Sequence, residues 1–183
     1  MKNMELKGTQ SKMAGLFIYA AMVQGAVAAV ITFLGAYGTE IGLLPVAVSR
    51  VIAGGGAGSW FTVGYVTYLI VGVVAMAVTS LFYFYIETVQ GKKFKGATMG
   101  LAWVHLVLGN VGVATAALMA MYGGYFAAVA IMPTSIGGLG GEPGAAHEVL
   151  VNFVQPIGIS IGLALLGFFA GGIGYLLAMR SKK

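Results

Sequence analysis

Four long apolar runs, at residues 13–38, 60–86, 97–132 and 149–179, set the limits on what this chain can fold into. A helix needs about 20 apolar residues to cross a hydrocarbon core of about 30 Å, and each run is long enough. Only 8% of the residues are charged, against roughly 25% in a soluble domain, so a water-facing surface cannot be covered. Peptide groups in hydrocarbon must find their hydrogen bonds within the chain, which turns such runs into helices. The pattern predicts an all-α integral membrane protein, a single membrane domain over residues 1–183 built as a four-transmembrane-helix bundle.

The polar segments set its orientation. The first run follows Lys2, Lys7 and Lys12 and ends at Thr39 and Glu40. It exceeds the apolar region of about 7–15 residues in a cleaved secretory signal, so it is expected to stay as a span. Residues 41–53 hold Pro45 and Arg50 and lead into Gly54-Gly55-Gly56-Ala57-Gly58, which reads as an interfacial segment and a flexible turn. Aromatic residues mark both ends of the second run, with Trp60 and Phe61 at one and Phe82 to Tyr85 at the other. A tight basic loop, Gly91-Lys92-Lys93-Phe94-Lys95-Gly96, follows, and the glycine-rich residues 133–146 form the last loop. Of ten Lys and Arg residues, all but Arg50 fall in alternate segments: the amino terminus, the 92–95 loop, and Arg180, Lys182 and Lys183. Cytoplasmic loops carry this excess, so both termini are expected in the cytoplasm of a prokaryotic cell, with the plasma membrane as the location. The net charge of +5 is thereby used, and no basic stripe remains to suggest nucleic acid. Without cysteine, disulfides, thiolate metal sites and cysteine nucleophiles are excluded.

Small residues show where helices meet. In the fourth run Ser160, Ala164, Gly167, Gly171, Gly174 and Ala178 recur at spacings of three and four, which places them on one face. Gly158 and Gly162 read as a further close-approach pair. The third run has two stripes, one through His105, Gly109, Gly112, Ala116 and Gly123, the other through Asn110, Ala114, Ala117 and Gly124. Two smooth faces imply two neighbours. Ala21, Gly25, Ala28, Thr32 and Gly35 form a comparable stripe in the first run.

His105 is the ionisable side chain deepest in a run, about 15 Å from Lys95 at 1.5 Å per residue. The same count places Gln24 and Thr79 near that depth, so Gln24, Thr79 and His105 are expected to form one buried polar layer. Its bland role is hydrogen bonding between helices. A sharper role is haem ligation, because intramembrane ionisable groups are functional candidates by default. The sequence holds no second histidine at this depth, and Met22 and Met76 are the weaker axial candidates. Haem is therefore an alternative, not the preferred reading. Glu40, Glu142, His147, Glu148 and Asn152 stand near the opposite end and offer oxygens and an imidazole to a hard ion, though solvated loop residues explain them more cheaply. No metal is assigned. No catalytic constellation, phosphate loop or dinucleotide motif is present.

The stretch Trp103-Val104-His105-Leu106-Val107-Leu108-Gly109-Asn110-Val111-Gly112, with Tyr122-Gly123-Gly124-Tyr125 and the turn at Pro133, resembles a helix-and-turn unit of the haem-copper (cytochrome c) oxidase subunit I superfamily. In that family a membrane histidine precedes small residues, an aromatic helix end and a Pro/Gly turn. Subunit I uses several histidines and this chain retains at most His105 of them, so the resemblance implies a short relative or an accessory part of a respiratory complex, not a complete oxidase. The expected function is a small, non-catalytic membrane subunit of a respiratory or other redox assembly, in contact with the lipid bilayer and with other subunits or a second copy. The alternatives are a haem b electron carrier using His105 and a small transporter or channel, for which the runs carry few polar residues.

Overall fold

The computed structural model describes residues 11–181, which contain helices and no strand. In chain order they form α1 (Lys12–Tyr37), the short α2 (Val48–Ala53), α3 (Gly58–Val89), α4 (Ala97–Ile131) and α5 (Pro143–Arg180). All except α2 are long and apolar enough to cross a membrane. Lys2, Lys7, Lys182 and Lys183, used above for orientation, lie outside the described residues.

Polar contacts gather three segments at one end. Ser11 caps α1 by accepting the Ala14 amide at 3.1 Å, and its hydroxyl donates to the Glu87 carboxylate near the end of α3. Lys92 donates to the Met179 carbonyl in the last turn of α5, where a cation also complements the helix dipole. The start of α1, the loop after α3 and the end of α5 therefore share one end with Lys12, Lys92, Lys93, Lys95 and Arg180. The chain reverses there through Gly91 and Gly96, at φ of 65° and 54°, a left-handed conformation that other residues rarely take.

At the opposite end, the segment 41–53 turns Val46, Val48 and Val51 inward while Ile41, Leu43 and Ile52 stay exposed. Val46 and Val51 are fully buried. The Tyr125 hydroxyl on α4 donates to the Val46 carbonyl at 2.7 Å and accepts its amide at 3.2 Å, clamping this segment to the bundle. Helix α5 begins at Pro143, earlier than residue 149, because proline at the first helical position gives up no internal hydrogen bond. His147 thus sits within α5 rather than in a loop. Pro156 lies inside the helix without ending it, and its carbonyl accepts the Ser160 hydroxyl at 2.8 Å.

Helix α1 packs along α3, α3 along α4, and α4 along α5. The central helix is α4, and its two small-residue stripes meet different partners. Towards α5, a Cβ on Gly112 would lie 2.6 Å from the Ser160 carbonyl oxygen, and one on Gly167 would lie 3.0 Å from the Gly109 Cα. Towards α3, a Cβ on Gly64 would lie 2.6 Å from the Ala117 carbonyl oxygen, and one on Gly124 would lie 2.7 Å from the Trp60 Cβ. Bare backbones are what permit both approaches. Gly174 is buried against Leu101 and Thr98. Gly158 and Gly162 depart from the expectation: no described atom lies within 4 Å of where their Cβ would stand. At 3.6 residues per turn they project from the side of α5 opposite Ser160, Ala164, Gly167 and Gly171.

Candidate functional site

His105 lies on the α5-facing side of α4, and the side chains around it come from three other segments and α5. It is 4% exposed. Its ring centroid is 5.0 Å from Phe17 of α1, 6.1 Å from Tyr83 of α3, and 5.9 and 6.0 Å from Phe168 and Tyr175 of α5. Phe94, from the basic loop, closes the box by packing on Tyr83 at 4.9 Å. Helix α5 reaches the imidazole because residue 171 is glycine: a Cβ there would overlap Nδ1 and Cγ of His105.

Two tyrosine hydroxyls accompany His105 inside this aromatic shell. The Tyr83 hydroxyl and His105 Nδ1 are 3.3 Å apart and share a hydrogen bond whose direction follows the imidazole tautomer. Tyr175 packs against Tyr83 with centroids 4.8 Å apart and ring planes tilted by 56°, and its buried hydroxyl has no hydrogen-bond partner among the described residues. Ser80, also buried, turns its hydroxyl back to the Ala77 carbonyl at 2.7 Å. The cluster can bind α1, α3, α4 and α5 together through dispersion and the Tyr83–His105 hydrogen bond.

The expected Gln24–Thr79–His105 layer does not form. Gln24 accepts the hydroxyl of Tyr68, which begins a stretch of wider π-helical turns in α3 (Tyr68–Val74). Thr79 is only partly buried, beside the fully enclosed Ser80. Residue counting gives a position along each helix but not the direction of the side chain, and Gln24 turns to Tyr68 while His105 turns to Tyr83. Asn110, on the second stripe, donates to the Leu106 carbonyl at 2.8 Å, and its buried Oδ1 has no partner among the described residues.

The haem candidates separate. Met22 is 68% exposed and points away from the bundle, which removes it as a ligand beside His105. Met76 is fully buried near His105: a Cβ on Gly109 would stand 3.8 Å from the Met76 Cε and 3.5 Å from the His105 Cδ2. The imidazole is enclosed by four aromatic rings and the α5 backbone, and this packing does not fit a haem. At the other end, Glu40, Glu142, His147 and Glu148 do not converge: among the described residues no three His, Cys, Asp or Glu side chains are placed to hold a metal ion.

Tyr83 and Tyr175 are the polar site residues that sequence reasoning missed, along with the rings of Phe17 and Phe168. In the sequence Tyr83 belongs to the aromatic end of the second run. Tyr175 stands four residues after Gly171, and a tyrosine next to a small-residue face was the available signal. No family model matches the chain, and no curated relative or similar solved structure was found.

Proposed function

We propose that this chain is an integral membrane protein with both termini in the cytoplasm of a prokaryotic cell, and that it serves as a non-catalytic subunit of a larger membrane complex. The outward face of α5 carries this reading. Gln155, Gly158 and Gly162 fall within one narrow sector of that helix, all turned away from the bundle. In a lipid environment an amide and two bare stretches of backbone favour a neighbouring helix, which supplies hydrogen bonds and close packing. Helix α1 also directs most of its large side chains outward, including Tyr19, Met22, Val30 and Phe33. A respiratory or other redox assembly is the complex we propose, on the likeness of residues 103–112 to an oxidase helix. The test is native mass analysis and absorbance of gently solubilised protein, wild type against Gly158→Leu with Gly162→Leu. Co-purifying membrane subunits that the double variant loses are expected. A lone chain, or partners retained unchanged by the variant, would refute the subunit reading.

A further inference from the structure

The basic end carries a feature that subunit packing does not use. A cavity of about 440 Å³ lies between the 91–95 loop and the end of α5, bordered by Lys92, Lys93, Lys95, Thr98, Ala178 and Ser181. On a neighbouring face of the last α5 turns, a groove of about 700 Å³ runs between α3 and α5, lined by Leu81, Phe82, Ile86, Val89, Tyr175 and Met179. No polar surface lines that groove. Lys92 joins the two, since its stem leaves the loop and its ammonium reaches the Met179 carbonyl.

The charges here are unbalanced. Glu87 is the one carboxylate at this end among the described residues, and it accepts the Ser11 hydroxyl. Lys93, Lys95 and Arg180 are exposed, and Lys92 keeps further N–H donors beyond its bond to Met179. A phosphate in the cavity would meet several ammonium groups, while the hydroxyls of Thr98 and Ser181 already donate to the carbonyls of Lys95 and Ala178. The adjoining groove, by contrast, offers only hydrocarbon contacts. A ligand for both has an anionic phosphate head and an apolar tail.

We propose that this seam binds an anionic phospholipid, with its phosphate among Lys92, Lys93 and Lys95 and an acyl chain in the groove between α3 and α5. This inference rests on the membrane reading above. Basic pockets between helices on the cytoplasmic side suit such head groups, and each lysine near an anionic surface contributes roughly a fivefold gain in binding. The occupied site would tie the loop to the last turn of α5 and so stiffen the end that holds Phe94 over the Tyr83–His105 cluster.

The experiment uses the full chain, purified in mild detergent, with phosphatidylglycerol, phosphatidylcholine and soluble glycerol phosphate as probes and lipid retention read by native mass analysis. Phosphatidylglycerol is expected to bind at least about tenfold more tightly than phosphatidylcholine, with affinity falling as salt rises. Lys93→Gln, at an exposed position, should lose about fivefold, and Lys92→Gln/Lys93→Gln/Lys95→Gln should abolish the preference. Val89→Trp, which fills the groove from an exposed position, should weaken phosphatidylglycerol but leave the salt dependence in place. Equal retention of the two lipids, or undiminished preference in both lysine variants, would overturn the site. Displacement of the lipid by glycerol phosphate at matched concentration would overturn the acyl-chain half and leave a soluble-anion site. Flotation with vesicles separates the premises: wild type that does not float refutes the membrane reading, and wild type that floats without lipid preference refutes this proposal alone.

Discussion

Gly171 stands directly against the imidazole of His105, so the closest approach of α5 to α4 at this level is set by a missing side chain. A Cβ at 171 would occupy the space of the ring itself, and the ring has nowhere to move inside its aromatic shell. Gly171→Leu is therefore expected to cost about 3 kcal/mol through overpacking. Leu166→Ala, on the exposed side of the same helix, should cost less than about 1 kcal/mol. Gly162→Ala, with open space around it, should be neutral or slightly stabilising. Thermal unfolding in mild detergent measures all three, and equal losses for Gly171→Leu and Leu166→Ala would rule out the groove.

The hydrogen bond between Tyr83 and His105 should show as a coupling energy. Tyr83→Phe and His105→Leu, which each remove one partner of the bond, are expected to be tolerated, because the rings and the small-residue face supply most of the contact. Their double-mutant cycle should return about 1 kcal/mol, the scale of interhelical hydrogen bonds in membrane proteins. Strict additivity would show that the 3.3 Å contact is no more than proximity.

The Tyr125 clamp predicts a local effect. Removing its hydroxyl in Tyr125→Phe leaves the Val46 amide and carbonyl without their partner, at about 1–3 kcal/mol for unsatisfied buried groups. Faster hydrogen exchange is expected at Val46 and through α2, with α4 and α5 unchanged. Protection equal to wild type at Val46 would mean that packing alone holds the segment.

The orientation can be read with single cysteines, since the chain has none of its own. Lys93→Cys should be shielded from an impermeant thiol reagent applied outside intact cells, and Leu139→Cys, at an exposed site between α4 and α5, should react. The reverse pattern would invert the topology; reaction at both positions would show that the two ends are not on opposite sides.

Hydropathy along the chain was enough to identify the four long helices, because whether a stretch is apolar enough to be a helix in hydrocarbon depends on its own residues. The clustering of basic residues at one end was legible in the same way, and so was the α5 face through Ser160, Ala164, Gly167 and Gly171, which periodicity alone places in one line. Rotation about each helix axis was not legible. Counting residues assigns a depth to Gln24, Thr79, Met22, Met76 and His105 but no direction, and close packing sends Gln24 to Tyr68, turns Met22 outward and brings Met76 and Tyr83 to His105. The two glycine sets of α5 pose the same problem, since each has the spacing for close approach. Only the placement of α4 decides that Gly167 and Gly171 are enclosed while nothing among the described residues reaches Gly158 and Gly162, because α4 packs on one face of α5 and those two glycines project from the opposite one.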